Sequence, residues 1–131
     1  MDLVKLDLCH NKLQGYREDD AVSFQEGFLG EFRKLKRLYL NDNQLKEFPE
    51  DIGHCSDLIE LYLGGNQVSF LPDGIADCKK LRRFLCGRNK VKVVPAKLGS
   101  LDHLEELSGT FVLNETLQRA PWRPEHTKSL P

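Results

Sequence analysis

Four histidines and four cysteines are the side chains best suited to catalysis or metal binding in this 131-residue chain. Their spacing argues against both. His10, His54, His103 and His126 lie far apart, and no GxSxG, HExxH, phosphate-loop or paired CxxC pattern accompanies them. Cys9-His10 could form one corner of a metal site beside Asp42, but two adjacent ligands lack the rest of a tetrahedral set, and an ordinary surface position is the better reading. What remains is the chemistry of recognition. Arg37, Glu60 and Arg83 follow one another at intervals of 23 residues, and so do Tyr39, Tyr62 and Leu85. Tyr and Arg are enriched among the residues that dominate binding energy at protein interfaces. The expectation is a binding protein and not an enzyme, with no cofactor and no metal.

These residues must be positioned by whatever repeats every 23 residues. Leu35, Leu38, Leu40, Asn43 and Leu45 spell the word LxxLxLxxNxL. The word returns at Leu58, Leu61, Leu63, Asn66 and Val68, and again at Leu81, Phe84, Cys86, Asn89 and Val91; an earlier copy stands at Leu3, Leu6, Leu8, Asn11 and Leu13. Self-similarity at a fixed period means one small unit stacked on copies of itself. The alternation in Leu38-Tyr39-Leu40 and Leu61-Tyr62-Leu63 predicts one short strand per unit with one face buried, and successive strands must pair in parallel. Burying each leucine is worth about 1.5–3 kcal/mol. The Asn turns the chain inward and offers its amide to backbone groups of neighbouring turns, where an unsatisfied polar group would cost about 1–3 kcal/mol. Gly64-Gly65-Asn66 has only a superficial likeness to a glycine-rich loop, because its glycines sit inside the word.

The second half of the unit repeats as well. Phe48-Pro49-Glu50-Asp51-Ile52-Gly53 aligns with Leu71-Pro72-Asp73-Gly74-Ile75-Ala76 and with Val94-Pro95-Ala96-Lys97-Leu98-Gly99. Each proline fixes φ at the start of a segment that should make an irregular or 3₁₀-like turn. Taken with the word, this pattern resembles the leucine-rich-repeat family, in its intracellular Ras-suppressor type with a 23-residue unit, over residues 1–108. The resemblance implies an α/β solenoid with a curved parallel β-sheet on the concave face and short turns, 3₁₀ or helical segments on the convex face. It also implies a scaffold or regulatory role in signalling through protein–protein contact, with small GTPases, phosphatases and kinases among the partners it brings into view.

The concave face can be read from the word, because residues between the buried leucines point outward from the strands. Position three holds Lys5, Arg37, Glu60, Arg83 and Glu106; position five holds Asp7, Tyr39, Tyr62, Leu85 and Ser108; position seven holds Cys9, Asn41, Gly64, Gly87 and Thr110. Tyr39, Tyr62 and Leu85 form an apolar-aromatic stripe flanked by Arg37, Glu60 and Arg83, and these six are the expected partner-binding residues. Taken singly, each could equally be an ordinary β-former packed across strands.

Charge and composition narrow the rest. The formal net charge of −1 excludes a polyelectrolyte role, and no apolar run approaches membrane-spanning length. Lys79, Lys80, Arg82, Arg83, Arg88, Lys90, Lys92 and Lys97 make one coil basic, yet one coil displays its residues around its whole circumference, and few aromatics interleave. A solvated coil is favoured over a nucleic-acid site. Cys55 and Cys78 share one repeat position and Cys86 replaces a core leucine, so all three read as small hydrophobes in a reduced, cytoplasmic compartment.

Two places break the period. Leu3 to Leu35 spans 32 residues, and the excess maps to an insertion at 14–27, either a tolerated convex loop or a finger carrying Tyr16 and an acidic tip. Beyond Leu107 the pattern dissolves, which predicts a degenerate C-terminal cap over 109–118 and a disordered tail over 119–131. Two functions compete on these grounds: a signalling scaffold binding a partner on its concave face, and a regulatory or substrate-binding repeat fragment of a larger kinase, GTPase or ubiquitin ligase.

Overall fold

Leucine at alternate positions of a three-residue segment can bury only its middle side chain against a core, and that is what each coil does. The computed structural model describes residues 2–12, 28–92 and 94–109. The expected insertion at 14–27, residues 110–118 of the expected cap and the 119–131 tail lie outside these. Five strands, β1 (Lys5–Asp7), β2 (Arg37–Tyr39), β3 (Glu60–Tyr62), β4 (Arg83–Leu85) and β5 (Glu106–Ser108), form one sheet in sequence order. Every pairing is parallel and without slippage: Leu6, Leu38, Leu61, Phe84 and Leu107 make one row, and Asp7, Tyr39, Tyr62, Leu85 and Ser108 the next. Equal repeat lengths lock this register, since a one-residue slip would turn every core side chain outward.

On the opposite side the chain runs through short 3₁₀ segments at Leu29–Glu31, Glu50–His54, Asp73–Asp77 and Ala96–Ser100. Pro49, Pro72 and Pro95 stand directly before the last three, in extended conformation with φ of −71°, −70° and −59°. Each proline lends its carbonyl to the first turn, accepting from Ile52, Ile75 and Leu98 at 3.4, 3.3 and 3.1 Å. Neighbouring turns are tied by carboxylates. Asp51 Oδ2 accepts the N–H groups of Leu29 and Gly30 at 3.0 and 3.2 Å, and Glu50 Oε2 accepts that of Gly74 at 3.0 Å. Gly74 is required sterically, because a Cβ there would stand 2.4 Å from the Glu50 carbonyl oxygen.

Between sheet and turns lies a single core. Leu35, Leu38, Leu40, Leu58, Leu61, Leu63, Leu81 and Phe84 have no exposed surface. Cys55, Cys78 and Cys86 are buried among them as free thiols, and each hydrogen-bonds a neighbouring coil's carbonyl: Leu29, Ile52 and Ser108, at 3.4, 3.4 and 3.3 Å. Burial pushes these thiols up, to about 11 for Cys55 and about 12 for Cys78 and Cys86.

The asparagine of each word bridges two coils. Asn66 Nδ2 donates to the carbonyls of Leu63 and Leu40 at 2.8 and 3.0 Å, while its Oδ1 accepts the Leu45 N–H at 3.1 Å. Asn43 and Asn89 repeat the pattern one coil earlier and one coil later. Two expectations fail at the ends. Leu3 should point inward, but it is 37 % exposed beside the exposed Val4, because no described coil covers β1 on its outer side. Ser108 should stand on the concave row, yet it is buried, with its carbonyl accepting both the Cys86 N–H and the Cys86 thiol.

Candidate functional site on the concave face

Parallel register turns like positions of the word into lateral rows, so residues 23 apart in sequence become neighbours on the sheet. Tyr39 and Tyr62 stack, with ring centroids 4.7 Å apart and planes inclined by 19°. Such offset pairs gain about 0.5–1.5 kcal/mol beyond area burial. Lys5 Nζ lies 5.3 Å from the Tyr39 ring centroid on the other side, a cation–π contact contributed by β1. Leu85 continues the row after Tyr62. Both tyrosines and Leu85 are half-buried where an exposed stripe was expected, because each is covered by its neighbours in the row.

Position three supplies the electrostatics. Glu60 stands between Arg37 and Arg83 across the ladder. Its carboxylate accepts the Tyr39 hydroxyl and lies 3.9 Å from Arg37 Nε and 3.6 Å from Arg83 Nη1. Arg83 Nε also lies 4.0 Å from the Glu106 carboxylate. Burial and then the Glu60 hydrogen bond push the Tyr39 hydroxyl up to about 12, so it stays neutral and donating at any ordinary pH. A hydrogen bond from Tyr62, followed by the charges of neighbouring acids, raises Arg83 further above its already high value. The six side chains expected at the site (Arg37, Tyr39, Glu60, Tyr62, Arg83 and Leu85) thus occupy one contiguous patch of three adjacent strands.

A rim row escaped the reading of the sequence. The residue before the word's asparagine adopts left-handed backbone in every coil: φ is 61° at His10, 59° at Asp42, 73° at Gly65 and 54° at Arg88. Only one of the four is glycine, the residue that takes this conformation without steric cost. Gly65 is also required sterically, since a Cβ there would stand 2.3 Å from Asp42 Oδ1. Over that gap Arg88 reaches Asp42, with Nη2 to Oδ1 at 3.1 Å, and His10 Nδ1 approaches the other oxygen at 3.4 Å. The shared position in the word was the available signal.

Cys9 does not join His10 and Asp42 in a metal corner. Its amide donates to Asp7 Oδ1 at 3.1 Å, and among the described residues no group of three His, Cys, Asp or Glu side chains could hold a metal ion. The basic coil is dispersed. Lys80 meets Asp57 at 2.9 Å, Lys79 meets Ser100 at 2.8 Å, Lys97 stands 3.6 Å from Asp73 on the convex turns, and Arg83 and Arg88 face the sheet and its rim. Among the described residues no helix is long and apolar enough to cross a membrane.

Comparison with known proteins agrees with this architecture. A family model described as Leucine Rich repeats (2 copies) matches residues 33–73. No curated protein matches the sequence as a whole. A leucine-rich-repeat protein of Leptospira interrogans shares the fold with a TM-score of 0.74 at 20 % identity, over 98 % of this chain and 37 % of its own length. A chain of the BIR3–SERK2 complex from Arabidopsis thaliana gives 0.72 at 24 % identity, over 98 % and 69 %. The plant peptide hormone receptor RGFR1, solved in complex with RGF2, gives 0.56 at 28 % identity over 66 % of this chain and 14 % of its own. This chain therefore spans little more than a third of the Leptospira protein and a seventh of the receptor. It carries leucine-rich repeats, and its fold is a leucine-rich-repeat solenoid.

Proposed function

We propose that this chain is a protein-binding module without chemistry of its own, which holds a folded partner against Arg37, Tyr39, Glu60, Tyr62, Arg83 and Leu85. One observation carries the reading: the stacked tyrosines and the arginines beside them are fixed by one another and by Glu60 before any partner arrives. Preorganised aromatic and guanidinium groups lose little entropy on binding, which is where affinity is usually dissipated. The described neighbours from Arabidopsis and the RGFR1–RGF2 pair are themselves complexes, which supports a binding role for the architecture. The role would be a signalling scaffold in the cytoplasm. Four free cysteines, three of them buried, suit a reducing compartment. A small GTPase, phosphatase or kinase as partner follows from the Ras-suppressor resemblance.

The test is capture from cytosol by the chain and by its Tyr39→Ala/Tyr62→Ala variant, each checked for unchanged far-ultraviolet dichroism. Proteins retained by the parent and lost by the folded variant support the reading, since each hot-spot truncation costs about 2 kcal/mol or more. Equal retention by both moves the site off the concave face.

A further inference from the structure

The concave face contains two glycines that the fold does not require. At Gly65 and Gly74 an added Cβ meets an oxygen at 2.3 and 2.4 Å, so both are dictated by backbone and packing. Gly64 and Gly87 differ. Gly65 is the sole glycine with positive φ among the described residues, and a Cβ at Gly64 would meet only the Gly87 carbonyl oxygen at 3.5 Å and Asn41 Nδ2 at 3.9 Å. At Gly87 it would meet Ser108 Oγ at 3.7 Å. These are ordinary contacts, and any residue could stand at either place. Their effect is to leave a bare notch in the sheet. It is walled on one side by Tyr62 and Leu85, two residues earlier on the same strands, and on the other by the Asp42–Arg88 pair.

The charges around the notch are unequally presented. The carboxylates are the covered members of each ion pair: Glu60, Glu106 and Asp42 have side chains 14 %, 32 % and 33 % exposed. Their cationic partners Arg37, Arg83 and Arg88 are 55 %, 50 % and 72 % exposed. The Arg37 and Arg83 contacts, at 3.6–4.0 Å, are longer than hydrogen bonds and leave the guanidinium forks loosely held. An approaching surface therefore meets guanidinium first and carboxylate second.

We infer that the concave face takes an extended acidic segment of a partner protein, which seats one apolar side chain in the Gly64–Gly87 notch against Tyr62 and Leu85 and presents carboxylates to Arg37, Arg83 and Arg88. The inference rests on the concave-face reading above and adds the partner's chemistry. Guanidinium forks match carboxylates in geometry. The apolar seat supplies the desolvated contact that surface ion pairs lack, since exposed pairs alone contribute little.

Random peptides displayed on phage, selected against the whole chain, form the probe. Selected sequences should combine Asp or Glu with one large apolar residue and should lose affinity as salt rises. The Gly64→Leu/Gly87→Leu variant should keep the parent's dichroism and melting temperature while weakening these peptides about tenfold or more. An Arg37→Glu/Arg83→Glu variant should weaken them similarly and accept charge-reversed peptides instead. Selected peptides that are neutral or basic, or that ignore the arginine reversal while still requiring Tyr39 and Tyr62, overturn the acidic partner and leave the concave reading standing. Peptides indifferent to the tyrosines, glycines and arginines alike overturn both. A selection that enriches no sequence overturns the linear acidic segment.

Discussion

The first and third coils carry the same word and differ in almost everything the word is meant to secure. In the third coil Leu58, Leu61 and Leu63 have no exposed surface and Asn66 is buried, bonded to backbone of two coils. In the first, Leu3 and Val4 are exposed, Leu6 and Leu8 are half-buried, and Asn11 is exposed, with its Nδ2 donating to the Cys9 carbonyl of its own coil at 3.1 Å. Sequence pattern is thus permission to be buried, and a neighbouring coil is what grants it. In a stack where units touch only their neighbours, one missing interface is a large fraction of a coil's stability.

The largest effect should come from the core leucines. Leu61→Ala removes a wholly buried side chain between two coils and should cost about 2–5 kcal/mol in denaturant unfolding. Leu6→Ala, at the matching position of the half-buried row, should cost about 1 kcal/mol or less. Equal losses would break the comparison and show the first strand to be covered as well as the third.

The asparagines should differ next. Asn66→Ala leaves the Leu45 N–H and the Leu40 and Leu63 carbonyls without their partner, a loss of about 1–3 kcal/mol. Asn11→Ala, at an exposed site, should fall within about 0.5 kcal/mol of the parent. Thermal melts of the two variants read the difference directly, and an Asn66→Ala melt matching the parent would deny the asparagine its bridging role.

Thiol chemistry sharpens the same contrast without changing stability. Cys9 of the first coil is half-exposed, and although burial and the Asp7 carboxyl raise its pKa, a reagent can reach it. Cys55, Cys78 and Cys86 should react only as the protein unfolds, since they are buried and protonated. Stopped reaction with a thiol reagent, followed by mass mapping, should find Cys9 labelled first.

The smallest effect is in titration along the sheet's fifth-position row. In the first coil this position is Asp7, whose carboxyl is lowered by hydrogen bonds from Cys9. In the second it is Tyr39, pushed up to about 12 by burial and by Glu60. A phenol raised in the folded state favours folding below its unfolded pKa of about 10, and that contribution disappears as pH climbs from about 10 to about 12. Ultraviolet titration should therefore show one tyrosine ionising late, and Glu60→Gln should bring it forward.

Much of this was legible because the repeat makes each position testify several times. The row Leu38, Leu61, Phe84 fixed the core, Asn43, Asn66 and Asn89 fixed the bridges, and the prolines before Glu50, Asp73 and Ala96 fixed the 3₁₀ turns. What stayed hidden depends on partners across coils. Nothing in the word tells that the Tyr39 hydroxyl bonds Glu60, that Arg88 crosses Gly65 to meet Asp42, or that Ser108 is buried. The left-handed backbone at His10, Asp42 and Arg88 was masked because those residues are not the glycine that usually marks it.

The unslipped parallel register has a metrical consequence. Strands stand about 4.8 Å apart, so Arg37 and Arg83, two strands apart, are set at close to 10 Å between their backbones. An extended chain laid along the rows advances about 3.3 Å per residue. Sheet and ligand therefore run at different pitches, like the two scales of a vernier, and coincide when three residues have passed two coils. Acidic side chains that meet Arg37 and Arg83 together should stand three apart in the partner, so that the spacing of its charges, and not only their number, is what this surface measures.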